Sequence, residues 1–361
     1  MSSSVNTFCD LPFNKIKVAA SGEVTMCCFQ SGTLGNLMKS SFSDIWESNA
    51  AKLIRRATEA GELHEMCTGW GGCPFLCKPR VNQPVTFEPA YPTQIELDLP
   101  NTHCNIGGTS PTPETACFMC PRSIPDFIAD VDITLEIAKK LSFLMPTLTD
   151  LRIQGLSELF WKDRVFEVLE TLGFEQYKHQ CHFSAYSNAI VFNTPQQTRF
   201  IDACPDSRLF FSIDAVTHET YIKVRRLPAF DRVIANIKEF AKNKKDGQHF
   251  EIANNINMVN LHEAVPMVDL AADLGAEGVQ FNPTHDGGTG RVDLHNVQVN
   301  ESNYQEFARV QDLIIERGHQ RQIPVILTRP LALHYPDMAK VGAIENNPQS
   351  RWKKLLNLIA K

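Results

Sequence analysis

From Gln94 to Glu316, short apolar runs alternate with longer stretches whose apolar residues recur every three or four positions, and this alternation limits the fold more than any other feature. Gln94 to Leu99, Leu151 to Gln154, His182 to Tyr186, Leu209 to Ile213, Phe250 to Ala253 and Val279 to Phe281 read as strands. Between and after them lie helix patterns: Ile133, Ile137, Leu141 and Leu144 on one face, and Asp163 to Leu172 closed by Gly173. Val233, Ile234, Ile237 and Phe240 mark the next, followed by Val265 to Leu274 closed by Gly275, and a helix around Tyr304 to Glu316. Repeated strand–helix units of this length build a parallel sheet, either a barrel or a doubly wound sheet, and in both the chemistry sits at the C-terminal ends of the strands.

The unusual residues fall at those ends. Cys104 follows the first strand, Gln154-Gly155-Leu156-Ser157-Glu158 the second, and Ser187-Asn188 the third. Ser212 and Asp214 close the fourth, and the last strand runs into Asn282 to Arg291, with His285 and Asp286 as ligand contacts or ordinary loop residues. Glu96 and Asp98 point in or out of the barrel by strand alternation, so that one of them faces a substrate.

Cysteine usage divides the chain. Nine of the 11 cysteines precede residue 121, while Cys181 and Cys204 lie in apolar surroundings and read as buried core thiols. The start has no signal-peptide pattern and no window is apolar enough to span a membrane, which points to a cytoplasmic protein. In that reducing compartment cysteines serve metals or clusters rather than disulfides. A formal charge of -6 offers no basic field for nucleic acid or a membrane surface. Cys104, Cys117 and Cys120 are three thiolates, one short of a closed tetrahedral site, and so would leave a bound metal or cluster with an open position.

Ahead of the barrel, two strand-like runs flank the Ser21-Gly22 turn and end at Cys27 and Cys28. A helix is expected from about Ser43 to Ala60, capped by Ser43 or Asp44, with Ile45, Leu53 and Ile54 on its apolar side. A run of the form H-x2-C-x5-C-x3-C follows, made of His64, Cys67, Cys73 and Cys77. So small a segment needs a metal to hold its shape, and on spacing alone that metal is structural zinc or an iron–sulfur cluster.

This first segment resembles the SPASM/twitch module of many radical S-adenosylmethionine enzymes. The resemblance rests on Cys9, Gly22 and Cys27, the Leu34-Gly35-Asn36-Leu37 turn, Ile45-Trp46, and the closing run. It departs in having His64 where the family has a cysteine, and in preceding the barrel rather than following it. The barrel in turn resembles the partial (β/α)6 barrel of the same enzymes, with the usual C-x3-C-x2-C stretched to C-x12-C-x2-C by the insertion Gly108 to Ala116. The resemblance implies three units: a cysteine-rich α+β auxiliary-cluster domain at 1–88, the partial TIM-type barrel at 91–330, and a C-terminal extension at 331–361 with a short basic amphipathic helix.

What the resemblance implies chemically is specific. Cys104, Cys117 and Cys120 would hold a catalytic [4Fe–4S] cluster whose open iron chelates S-adenosylmethionine. Met119, Glu158, Asn188, Ser212 and Arg225 would line that cofactor, with Glu158 on the ammonium, Ser212 near the ribose and Arg225 on the carboxylate. One or two auxiliary clusters would draw on Cys9, Cys27, Cys28, Cys67, Cys73 and Cys77, with His64 a further ligand or a solvated helix-end residue. The expected activity is radical oxidation or cross-linking of a peptide or protein residue, with electrons from a flavodoxin or ferredoxin. The alternatives are a small-molecule radical enzyme, such as an amino-cyclitol dehydrogenase or a nucleobase-precursor enzyme, and a non-catalytic zinc scaffold. No winged-helix segment precedes Cys9, which favours a small molecule or a recognition partner supplied in trans.

Overall fold

The computed structural model describes residues 9–28, 30–62, 64–67, 91–100, 104, 116–120, 131–155, 157–284, 297–298, 300 and 302–327. Cys73, Cys77, His285, Asp286 and the C-terminal helix lie outside the described residues.

The barrel strands are β4 (Gln94–Leu99), β5 (Asp150–Gly155), β6 (His182–Ser187), β7 (Ser207–Ser212), β8 (Gln248–Ile256) and β9 (Val279–Pro283). They pair in sequence order and parallel throughout, as the alternation requires. A further strand not anticipated above, β10 (Val325–Leu327), adds parallel to β9. At the other edge β1 (Lys15–Val18) pairs parallel with β4, carrying with it the antiparallel β2 (Glu23–Thr25) and β3 (Gly35–Asn36). One ten-stranded open sheet results, running β10-β9-β8-β7-β6-β5-β4-β1-β2-β3. The cysteine-rich segment is therefore hydrogen-bonded into the barrel's own sheet.

The two faces of the sheet differ sharply. Ile95, Leu97, Leu99, Leu151, Ile153, Phe183, Leu209, Phe211, Phe250, Ile252, Val279 and Phe281 are each at most 3% exposed and pack under the helices. Each such side chain contributes roughly 1.5–3 kcal/mol by leaving water. Behind β6 to β8 the packing is aromatic: Phe192 stacks on Phe160 with centroids 4.2 Å apart and also touches Phe200, Phe211 and Phe240. The opposite, lumen-facing set carries Lys15, Lys17, Glu96, Asp98, Arg152, Gln154, Ser184, Tyr186, Arg208, Glu251 and Gln280. Glu96 and Asp98 are two residues apart, so both face the lumen, not one of the two as expected.

The described helices of the barrel are α4 (Thr134–Leu141), α5 (Arg164–Leu172), α6 (Thr194–Ala203), α7 (His218–Arg225), α8 (Phe230–Asn243), α9 (Ala264–Asp273) and α10 (Tyr304–Arg321). They follow α1 (Leu11–Asn14), α2 (Phe42–Trp46) and α3 (Asn49–Glu59). The single helix expected from Ser43 to Ala60 is thus two. Ser48 turns its side chain onto Ala51 N and starts a new helix, and Ser41, rather than Ser43 or Asp44, caps the first through Asp44 N. Leu53 is 42% exposed and off the packed face, which Ala51 and Ile54 form. Helix α10 runs on to Arg321, past the expected end at Glu316. Among the described residues no helix is long and apolar enough to cross a membrane. Cys181 and Cys204 are fully buried as expected, and burial pushes the Cys181 thiol up to about 12.

Candidate active site at the strand ends

The C-terminal rim of the sheet is tied together by one arginine. Arg225 ends α7, a helix that starts where Thr217 caps Thr220 N. Glu263 receives both Val216 N, at 2.6 Å, and the Thr217 hydroxyl, which fixes the direction in which α7 leaves β7. The guanidinium is buried and faces three ways. Its Nε lies 2.5 Å from Asp214 Oδ2, its Nη2 donates to the Ser212 carbonyl at 2.9 Å, and its Nη1 lies 3.9 Å from Cys117 Sγ.

Asp214 is itself fully buried and accepts Asn255 N at 2.7 Å, while its carbonyl accepts Asn260 Nδ2 at 2.8 Å. Burial raises the Asp214 carboxyl above its ordinary value despite Arg225, and burial likewise raises the Cys117 thiol despite the same cation. For Arg225 burial acts the other way, but Asp214 and the thiols outweigh it and hold the guanidinium charged.

The turn that carries Cys117 and Cys120 packs against this arginine. Phe118 N donates to Val224 O at 3.2 Å and Cys120 N to Cys117 O at 2.9 Å, so the Cys117–Cys120 turn is pinned to the last turn of α7. Cys120 lies within the electrostatic reach of Cys117, and Cys104 within that of Arg225. Met119 sits half-buried in the same turn, and Ser212 half-buried at the end of β7. Soft thiol donors near a buried guanidinium, whose neighbouring carboxylate Asp214 that guanidinium engages, suit an iron–sulfur cluster better than a hard cation. Among the described residues no three His, Cys, Asp or Glu side chains converge to chelate a single ion.

Glu158 stands at the same rim but inside it. It is 2% exposed, and its carboxylate accepts the Ser187 hydroxyl at 2.7 Å, Asn188 N at 2.7 Å and Phe160 N at 3.3 Å. Asn188 folds its own Oδ1 onto Ile190 N at 2.9 Å, forming the turn that leaves β6. Burial nonetheless raises the Glu158 carboxyl against these donors. A raised folded-state pKa contributes stability that is present below the ordinary carboxyl value and lost as pH rises through the folded-state one. The advantage of wild type over Glu158→Gln in thermal unfolding should therefore shrink as pH rises above the ordinary carboxyl range. A difference that stays constant over that rise would contradict a raised Glu158 carboxyl.

In the N-terminal segment the Cys27 loop and the Cys67 turn are sewn together. Ser31 N donates to Met66 O at 2.7 Å and Cys67 N to His64 O at 2.8 Å. His64 Nδ1 accepts Met66 N at 3.2 Å, so the imidazole caps the turn that carries Cys67. Cys9, Cys27 and Cys67 are half-buried and Cys28 is exposed. Cys28 lies within electrostatic reach of Cys27, Glu96, Lys15 and Lys17, which sets this corner beside the barrel lumen.

Sequence reasoning noted Asp214 without giving it a role and passed over Asn255, Asn260, Lys15 and Lys17. The cluster Asn254-Asn255-Ile256-Asn257 after a strand was the available signal for the asparagines, since such runs supply turn-forming side chains. Nothing local marks Lys15 and Lys17, whose position depends on β1 pairing with a strand about 80 residues away.

The family model described as SPASM, an iron–sulfur cluster-binding domain, matches residues 9–74. No curated protein matches the chain in sequence. Solved structures do: Streptococcus suis SuiB bound to precursor peptide SuiA, at 12% identity and a TM-score of 0.51, over 69% of this chain and 52% of that one. SuiB bound to S-adenosylmethionine gives 12% identity and a TM-score of 0.51, over 69% and 53%. Native anSMEcpe with bound AdoMet and Cp18Cys peptide gives 13% and 0.47, over 65% and 62%. The chain spans about half the length of the SuiB structures, and likeness at this identity concerns the fold. Residues 9–74 therefore match a SPASM iron–sulfur cluster-binding domain, and its strands are built into the edge of an open parallel-stranded sheet whose fold is shared with SuiB.

Proposed function

We propose that this protein is a radical S-adenosylmethionine enzyme that oxidises or cross-links a residue of a peptide or protein substrate. The observation that supports the reading is Cys117 set against the buried Arg225–Asp214 pair at the strand ends, with Cys120 on the same turn and Cys104 within electrostatic reach of that arginine, on a sheet that also holds the segment matching the SPASM module. Cys104, Cys117 and Cys120 would hold a [4Fe–4S] cluster, which with bound S-adenosylmethionine would supply one-electron reductive cleavage of that cofactor.

The chain's own residues bind, orient and shield. Arg225 places a fixed positive charge against Cys117, favouring its thiolate over the thiol as a ligand. The same side chain holds the Ser212 carbonyl, and so the end of β7, at a set distance from the cysteine turn. Ser212 and Met119, half-buried on this rim, are the side chains we assign to the cofactor's ribose and adenine side. Glu158 anchors the Ser187-Asn188 turn and thereby shapes the rim between β5 and β6.

Cys9, Cys27, Cys28 and Cys67, with Cys73 and Cys77 from the same module, are the residues we assign to one or two auxiliary clusters. The position of Cys28 beside Glu96 and Lys17 supports an electron path between the lumen and that module. Peptide substrates are favoured by the likeness in fold to SuiB, which was solved with its precursor peptide. A flavodoxin or ferredoxin is the class of donor such a reduction needs.

Anaerobic reconstitution with iron and sulfide tests this reading, with iron counted per chain in wild type and in a Cys104→Ala, Cys117→Ala, Cys120→Ala variant. About eight irons or more should fall by about four in the variant, and wild type alone should release 5′-deoxyadenosine. Zinc in place of iron, without deoxyadenosine, would leave a metal-stapled scaffold instead.

A further inference from the structure

Among the described residues, the lumen carries Lys15, Lys17, Arg152 and Arg208 against Glu96, Asp98 and Glu251, with Asp150 at the start of the same face of β5. Each carboxylate is already matched. Lys15 Nζ meets Glu96 at 2.6 Å, Lys17 Nζ meets Asp98 at 2.9 Å, and Arg208 pairs with Glu251. Gln154 and Gln280 add amide donors to the same groups, Gln154 to Glu96 at 2.5 Å and Gln280 to Glu251 at 2.8 Å. Asp150, at the far rim of β5, takes the Thr149 hydroxyl at 2.8 Å.

Arg152 is the cation left over. Its Nε donates to Ser184 Oγ at 3.0 Å and its guanidinium lies 5.7 Å from the Phe210 ring centroid, and among the described residues it meets no carboxylate. The ring beneath it is rigid, because Tyr186 and Phe210 stack at 4.7 Å with planes 21° apart. Neighbouring strands hold Ser184 directly between Arg152 and Arg208 in register. A half-buried guanidinium on an aromatic floor, with its Nε edge fixed and its Nη edge without an acceptor among the described residues, presents the geometry of a bidentate carboxylate clamp.

We infer that Arg152 is a specificity residue that binds a carboxylate of the substrate in the lumen. The inference rests on the radical-enzyme reading above only in calling that ligand the substrate. One unpaired guanidinium matches a monoanion, and a dianionic phosphate would need a second unpaired cation that the described lumen does not hold. The carboxylate belongs either to an acidic side chain or to a chain terminus. In both cases the reacting carbon lies on the cofactor side of the Tyr186–Phe210 pair, since Ser212 follows Phe210 two residues toward the cysteine rim.

Direct binding tests this without any turnover. The reconstituted full-length protein is titrated with N-acetyl-glutamate N-methylamide for the side-chain source, N-acetyl-alanine for the terminal source, and inorganic phosphate. One of the two carboxylates should bind at millimolar concentrations, and which one does identifies the source. Arg152→Gln should weaken it by roughly tenfold to a hundredfold, and Arg152→Lys, which keeps the charge but not the fork, by an intermediate factor. Failure of both carboxylates to bind wild type, equal binding by Arg152→Gln and wild type, or a preference for phosphate would each overturn the assignment. If Arg152→Gln does not fold, Arg152→Lys and wild type decide the matter alone. Because the readout needs no S-adenosylmethionine, a chain that binds carboxylate but releases no deoxyadenosine would separate the failure of the functional reading from that of this one.

Discussion

Arg225→Ala should destabilise the protein by about 3–5 kcal/mol, the cost of removing one partner from a buried ion pair. The cost arises because Asp214 has 0% exposure and would be left with Asn255 N as its described donor. Three other losses follow from the same truncation: the bond to the Ser212 carbonyl, the contact with Cys117, and the side chain that fills the space between β7 and the cysteine turn. Burial of Asp214 already pushes its carboxyl upward with Arg225 present, so without the arginine it should take up a proton rather than stay charged. Thermal unfolding of the cluster-free protein measures the effect apart from metal binding. A double-mutant cycle with Asp214→Asn gives the decisive sign, since the second change should recover much of the loss. An additive pair of losses would show that Arg225 acts by packing and not by matching a buried charge.

The lumen was readable from strand parity, because alternate residues of a strand share a face wherever the strand lies. Glu96 with Asp98 and Arg152 with Gln154 obey it without exception. Less readable was everything that depends on which strand sits beside which. Parallel pairing of β1 with β4 has no turn to announce it, unlike the β1–β2 hairpin at Ser21-Gly22, and so the lysines that neutralise Glu96 and Asp98 stayed hidden. Strand β10 is three residues long, too short for a periodic signal. The break at Ser48 was a choice between propensity and capping, and the serine hydroxyl's bond to Ala51 N decided it. At the rim, the cysteines were legible from chemistry and spacing. The role of Arg225 as the tie between Asp214, Ser212 and Cys117 was not, because its partners come from three separate segments that only the fold brings together.

Gly155→Ala should be the other severe substitution, and its cause is a close approach of backbones. Gly155 has φ +120°, a conformation that a residue with a Cβ adopts at a cost of about 1–3 kcal/mol. An added Cβ would also stand 2.6 Å from Leu99 O and 2.8 Å from Leu99 N. Neither atom can retreat as a side chain would, because Leu99 and Gly155 are the last register pair of β4 and β5. Relieving the clash means parting the two strands at their C-terminal ends, which adds about 1–3 kcal/mol of overpacking to the conformational term. The total of about 2–6 kcal/mol contrasts with Gly275→Ala, where φ is +77° but nothing lies within 4 Å of the new methyl, so that the backbone term acts alone. The functional consequence is local to the rim, since β4 ends at Leu99 and the chain reaches Cys104 five residues later. Parting β4 from β5 therefore shifts the approach of Cys104 to the turn of Cys117 and Cys120, while Cys27 and Cys28, which follow β2, are held by strands other than β5. Iron counting on the two glycine variants after anaerobic reconstitution checks this: Gly155→Ala should lose iron from the three-cysteine site and Gly275→Ala should retain it. Full iron in Gly155→Ala would mean that the end of β4 can move without disturbing the thiols.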